Sequence, residues 1–251
     1  MGTEGIASRL RGMGFRLRGI LHFFAQVALF AVGVAAAGCD LPRDPRGTLE
    51  RVRGGTLRVG VAENAPWVRR AGDAPAGVEP ALVNAFAEAL GARVEWRWGG
   101  VEEHLEALER FEIDLVVSGL TPASPWRKTI GLTRPYFDEA FAVGVPPGAA
   151  PLRTLDGVTV AVRDASVLAA YLEQQGATVL RTPDPARAGL PVAAPAWELA
   201  RLGLRPAADV VHRARHVMAV PPGENGFLVQ LERFLLDRQD RVESMLQEVA
   251  P

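Results

Sequence analysis

The chain has 251 residues, 48% of them apolar and 7% aromatic, enough for one large domain or two small ones with real cores. A formal net charge of −1 excludes an electrostatic case for nucleic-acid binding. A single cysteine excludes an intramolecular disulfide framework, and the lone Lys128 among many arginines reads as codon bias rather than function.

The N-terminus differs from the rest. Arg9, Arg11, Arg16 and Arg18 precede an uncharged segment over 20–38 that ends in Ala35-Ala-Ala-Gly38. A basic start, an apolar stretch and small residues at its end describe an export signal. An uncleaved membrane helix is the alternative, weakened by His22 and Gln26 within the stretch. Translation starts at Met1 or Met13. The stretch Ala36-Ala-Gly-Cys39 resembles the bacterial lipobox, in which the cysteine is diacylated. Cys39 is therefore expected to carry lipid, since two or more acyl chains anchor a soluble domain stably. An incidental signal-peptide cysteine is the alternative. Asp40, directly after it, implies retention at the inner membrane by the same resemblance. Residues 39–54 read as a tether. Removal of 1–38 leaves 24 basic and 28 acidic side chains, a net −4.

Thr56 to Ala62 alternates as a strand after Gly54-Gly55, and Pro66 to Gly77 reads as a loop. Pro80 to Leu90 has helical spacing, with proline in its first turn and Gly91 past its end. Arg93 to Trp98 is a second strand, and Val101 to Arg110 a short amphipathic helix. Ile113 to Val117 is the continuous apolar run of a strand covered on both faces. Val158 to Arg163 is the next strand, with Asp164 as helix N-cap, a helix to Gln175, and a strand over 177–181. Periodicity then fails over 182–197, where four prolines fall. Glu224 to Leu236 is a strongly amphipathic helix, followed by another over 242–249. The expected fold class is therefore α/β, with parallel strands and crossover helices. Ligands of such sheets sit beyond the carboxyl ends of the strands. That singles out Glu63, Asn64 and Trp67 after the first strand, Ser118, Gly119 and Thr121 after the third, and Asp164 and Ser166 after the next.

Several segments in order carry a family resemblance. They are Thr56-Leu-Arg-Val-Gly-Val61, Gly77-Val-Glu-Pro-Ala-Leu-Val-Asn84, Ile113-Asp-Leu-Val-Val-Ser-Gly-Leu-Thr121, Leu132-Thr-Arg-Pro-Tyr136 and Leu155-Asp-Gly-Val-Thr-Val-Ala161. Together they resemble the extracellular solute-binding proteins of the amino-acid type, family 3, the receptors of ABC importers. The resemblance implies a periplasmic-binding-protein-like fold of two α/β lobes joined by two hinge strands, the second lobe small. It places lobe I at 55–142 plus 221–251 and lobe II at 143–220. The repeated endings Val145-Pro-Pro-Gly148 and Val220-Pro-Pro-Gly223 are expected at the two hinge crossings.

By the same resemblance, Trp67 covers the ligand; a loop anchor on the core is the alternative. Glu63 and Asn64 could meet an amine or form a surface turn. The family's carboxylate-clamping arginine falls nearest Arg127, one residue late, so Arg127 is a clamp or a solvent-facing charge. Asp164, Ala165 and Ser166 are expected to offer backbone donors. A later strand should supply an acidic residue for a substrate ammonium. None is visible between Arg181 and Val192, so one unit of lobe II is lost or strongly diverged.

The reading is a monomeric, lipid-anchored importer receptor, with a small-molecule ligand and permease subunits as partners. It is placed on the periplasmic side of the inner membrane, with no cofactor, metal or nucleic acid. A receptor-like interaction or sensory module is the first alternative. A periplasmic dehydratase on the same fold is the second, with Glu63 its one candidate acid and no histidine in the cleft loops.

Overall fold

In Thr56–Val61 (β1), Leu57, Val59 and Val61 point to one face and Gly60 to the other. The computed structural model describes residues 43–123, 128–164, 166 and 168–249. The export segment, Cys39, Ala165 and Arg127 lie outside the described residues. β1 pairs in parallel with Arg93–Trp98 (β4) on one side and Leu115–Val117 (β5) on the other. Helices Val78–Ala89 (α2) and Val101–Glu109 (α3) make the crossovers. Gly131–Leu132 (β6) and Ala219–Val220 (β12) complete the sheet, in the order β4-β1-β5-β12-β6.

Both faces of this sheet are covered, which explains the apolar run in β5. On one face Phe86 of α2 meets Phe227 and Phe234 of Asn225–Leu236 (α6), at centroid separations of 5.9 and 5.2 Å. Val242 and Leu246 of Gln239–Val249 (α7) join them. On the other face Leu105 and Leu108 of α3 pack on Val116 and Ala219. No helix among the described residues is long and apolar enough to cross a membrane.

The described part of the segment expected as a tether is packed on lobe I. Thr48–Val52 is a helix (α1) with Thr48 and Val52 buried. Two carboxylates far apart in sequence hold it there. Glu224 accepts the amides of Arg46 and Thr48, both at 2.9 Å. Asp44 accepts those of Leu49 and Phe227, also at 2.9 Å. Each acid thereby serves an amide near a helix start belonging to the other segment. The loop expected over 66–77 contains a small hairpin, Arg69–Ala71 (β2) and Ala74–Ala76 (β3), turning at Gly72 with φ 64°.

The second sheet belongs to lobe II. Phe137–Val145 (β7) is flanked by Arg205–His216 (β11) and Val192–Pro195 (β10). Thr159–Arg163 (β8) and Thr178–Thr182 (β9) follow, in the order β11-β7-β10-β8-β9. β10 is a strand that sequence periodicity does not reveal. Between β9 and β10 the crossover is only a 3₁₀ turn, Pro185–Ala188, ended by Gly189 at φ 68°. Pro185 opens that turn, and Gly189 and Pro191 follow within six residues, which leaves no room for a full helix. Lobe II is thus small because its crossovers are short, Leu168–Gln174 (α4) and Ala196–Leu199 (α5), while its sheet keeps five strands.

The hinge crossings lie elsewhere than the Pro-Pro-Gly motifs. Thr133 N–H donates to Met218 O at 2.9 Å, Tyr136 N–H donates to His216 O at 3.0 Å, and Phe137 pairs with His216. The chain therefore crosses near 133–137 and 216–218. The first Pro-Pro-Gly follows Val145, which pairs with Arg205 at the other end of β7, and the second already lies inside lobe I beyond β12. β7 begins four residues before Phe141 because Asp138 and Glu139 are strand residues. Asp138 faces outward to Arg213 at 3.5 Å, while Glu139 is buried.

Candidate ligand cleft and hinge

β1 and β5 are neighbouring parallel strands, so their carboxyl-end loops emerge side by side. Those loops are joined by side chains. Asn64 Nδ2 donates to Ser118 O at 2.8 Å, and Ser118 Oγ donates to Ala62 O at 3.1 Å. Asn64 and Val68 exchange backbone hydrogen bonds at 2.8 and 2.9 Å, closing the loop over Pro66. Gly119 has φ 61°, and a Cβ on it would lie 2.6 Å from Asn64 Nδ2 and 2.8 Å from Trp67 Cδ1. Only glycine fits both the backbone and the space. Asn64, Trp67, Ser118 and Gly119 therefore converge, and Thr121 follows, partly exposed. Glu63 stands apart: its side chain is 60% exposed, 3.9 Å from the Arg70 guanidinium.

Trp67 is 4% exposed and behaves as the loop anchor. The His216 ring stacks on it at 3.8 Å, Tyr136 meets it edge-on at 6.3 Å, and Phe137 lies at 5.8 Å. That histidine, His216, is the last residue of β11 and comes from the second crossing rather than from a cleft loop. His104 packs behind the floor instead, with Nε2 3.2 Å from Val61 O. His212 stacks on Tyr171 at 4.0 Å in lobe II, and burial lowers its basicity.

Two carboxylates escaped the reading of the sequence. Glu79, in the first turn of α2, is fully buried; its Oε2 accepts Gly119 N–H and its Oε1 accepts Tyr136 O–H, both at 2.8 Å. Burial pushes the Glu79 carboxyl above the usual carboxylate range, against those two hydrogen bonds and the nearby His216. Tyr136 is pushed well above the usual phenol value by burial and by Glu79. Glu139 is the second, accepting from Trp197 Nε1–H at 2.9 Å and lying 3.0 Å from His216 Nε2. A signal for it existed: Glu139 shares its strand phase with Phe137 and Phe141, where an apolar residue belongs.

On lobe II, Asp164 is exposed, and Ser166 Oγ accepts Leu168 N–H at 3.2 Å at the start of α4. Arg181 Nη1 donates to the carbonyls of Asp164 and Ser166, at 2.9 and 3.4 Å. β10 carries no carboxylate. The first acid after it, Glu198, binds Arg163 at 3.1 Å. Among the described residues no three metal-ligating side chains converge.

This architecture has solved counterparts. An ancestral cationic amino acid solute-binding protein superposes with a TM-score of 0.67 at 19% identity, over 81% of this chain and 100% of that chain. The L-cystine solute receptor of Neisseria gonorrhoeae gives 0.64 at 18% identity, over 80% and 95%. At such identities the likeness is one of fold. The membrane-bound lytic murein transglycosylase F of Vibrio campbellii is 33% identical over 98 residues, 38% of this chain and 18% of that protein. The match thus spans less than a fifth of that relative. Residues 57–241 match the bacterial extracellular solute-binding proteins, family 3, and the chain belongs to that family.

Proposed function

We propose that the chain is the substrate-binding lipoprotein of an ABC importer, taking a small polar solute, an amino acid or a related carboxylate, between its lobes. The observation that carries this reading is the joined floor at the carboxyl ends of β1 and β5, beside the crossing to lobe II. Asn64, Ser118, Gly119 and Thr121 form that floor, with Glu63 at its rim and Trp67 backing it. Arg127 meets the solute carboxylate, and Asp164 and Ser166 approach from lobe II. Cys39 holds the protein on the periplasmic side of the inner membrane, beside its permease. Family membership and the amino-acid receptors among its solved counterparts support this reading.

A second reading is favoured by one observation: β10, Val192–Pro195, has no acidic side chain for a substrate ammonium. It is a receptor-like interaction or sensory module that binds no free amino acid. A dehydratase role is disfavoured, since Glu63 is exposed and faces Arg70.

A thermal-shift screen of the mature chain against amino acids and small carboxylic acids separates these readings. A ligand at 100 times its Kd stabilises by about 2.7 kcal/mol, which raises Tm by roughly 5–10 °C at this size. No shift with any compound sinks solute binding and leaves the module. For the anchor, Cys39→Ala should move the protein from the membrane to the soluble fraction; retention would mean a helical anchor instead.

A further inference from the structure

Two segments far apart in sequence close the amino end of the lobe I sheet. β1 runs from α1 toward Glu63 and Asn64, so α1 lies at the end opposite those loops. β12 runs antiparallel to β5, so Pro221-Pro222-Gly223 carries the chain to that same end and delivers Glu224 there. Glu224 then takes the amides of Arg46 and Thr48, and the Arg43 carbonyl accepts Asn225 N–H at 3.0 Å. Asp44 lies so close to α6 that a Cβ on Gly226 would sit 2.9 Å from its Oδ1. Arg51 pairs with the buried Asp114 at the start of β5. From Arg43 onward the segment is therefore part of lobe I.

Only Asp40, Leu41 and Pro42 stand between Cys39 and Arg43. Four residue steps span at most about 14 Å, while a six-residue strand such as β1 is itself about 20 Å long. An anchor on Cys39 thus keeps the bilayer nearer to α1 than to the loops after β1 and β5. An anchor formed by the apolar segment over 20–38 would lengthen this leash by one residue only. Charge points the same way. Residues 43–58 carry Arg43, Arg46, Arg51, Arg53 and Arg58 against Asp44 and Glu50, a net +3 in a mature chain of net −4. Arg46, Arg53 and, at the start of the neighbouring β4, Arg93 are exposed. Arg110 nearby is offset by Glu106 and Glu112. Arginines held close to an anionic bilayer are attracted to it.

We propose that this end of lobe I is a membrane-facing surface. The short leash and the exposed arginines seat α1 and the amino ends of β1 and β4 on anionic lipid headgroups. The loops after β1 and β5 then face away from the bilayer, into the compartment. The inference rests on the membrane anchor proposed above and not on any solute.

The test couples the mature chain through Cys39, its one thiol, to a maleimide lipid in vesicles of phosphatidylglycerol and phosphatidylcholine. A water-soluble, arginine-selective dicarbonyl then reads which side chains the bilayer covers, by mass spectrometry of the modified peptides. Relative to the chain coupled to a soluble maleimide, Arg46, Arg53 and Arg93 should react several-fold more slowly. Arg69 and Arg70, exposed in the hairpin beside Glu63, should react at an unchanged rate. Equal slowing at both ends, slowing at Arg69 and Arg70 alone, or slowing at neither end overturns the proposal. In about 1 M salt, where charge attraction is screened beyond about 3 Å, the leash alone should keep Arg53 and Arg93 protected. A flexible Gly/Ser insertion of about 20 residues after Asp40, with an r.m.s. span of about 25 Å, should abolish that protection without touching the folded domain. Protection that survives the insertion in high salt overturns the role of the leash. Fractionation of Cys39→Ala from cells reads the natural anchor separately, so either can fail alone.

Discussion

Lobe I and lobe II have five-stranded sheets of similar plan but very different cores. In lobe I, long helices bring Phe86, Phe227, Phe234 and Leu231 onto one face of the sheet. In lobe II, one face is filled by Ala142, Ala161, Val192, Ala194 and Leu199, under a 3₁₀ turn and a four-residue helix. Small side chains let short connections lie close to the sheet, but they bury less apolar area, and burial is the main favourable term. The small lobe keeps its strands and gives up crossovers. The difference teaches that the expected missing unit was a missing helix, not a missing strand.

The largest expected effect tests that asymmetry in core energetics. Phe86→Ala should cost about 3–5 kcal/mol in urea unfolding. Val160→Ala, equally buried in lobe II, should cost about 2 kcal/mol, at about 0.8 per methylene plus a small cavity. Equal losses would mean that the two cores are equivalent.

Next comes a pH effect within lobe I. Asp114 is buried, which opposes its ionisation, but hydrogen bonds from Arg58 and Arg51 outweigh burial and hold its carboxyl below the usual range. Its stabilisation is present above the unfolded value and lost as pH falls through the folded value. Glu79 is raised, so its contribution has the opposite sign, present below the unfolded value and lost as pH rises through the folded one. Asp114→Asn should cost about 1.5–3 kcal/mol at neutral pH and flatten the acid limb of a stability–pH curve. An unchanged acid limb would remove Asp114 as its source.

Glycines give a finer comparison. Gly119→Ala meets both a left-handed backbone and a clash with Asn64 and Trp67, and should cost about 1–3 kcal/mol or more by thermal melting. Gly157→Ala in lobe II, φ 71° with open space around it, should cost only the backbone part, about 1–2 kcal/mol. A smaller loss at Gly119 than at Gly157 would show that the floor yields. The smallest effect is expected at Arg163→Ala. Its pair with Glu198 joins β8 to α5, but Arg163 is 62% exposed, so under about 1 kcal/mol is expected from a double-mutant cycle.

Lobe I was legible in the sequence because its strands and helices are periodic and punctuated: Gly54-Gly55 before β1, Pro80 in the first turn of α2, Gly91 past its end. In lobe II two strands were not. β10 is four residues long and ends in proline, too short for any period to register. β11 spans 12 residues, yet His212, Arg213, Arg215 and His216 together with its bulged register hide its alternation. Asn64, Ser118 and Gly119 were legible as neighbours at the ends of β1 and β5, because an α/β sheet exposes its strand ends. Glu79 and Glu139 were not, since an acid in a first helical turn or on a charged strand ordinarily faces water.

The sequence by itself determined the fold class, the family and the loops that meet at the ends of β1 and β5, because each follows from local periodicity and from where parallel strands end. Only the tertiary structure decided where the chain crosses between lobes, that Trp67 is sealed under His216, and that two carboxylates, Glu79 and Glu139, are buried. Those facts depend on contacts between residues far apart in the chain. Burial, which sets the energy and protonation of a carboxylate, exists only once such contacts form.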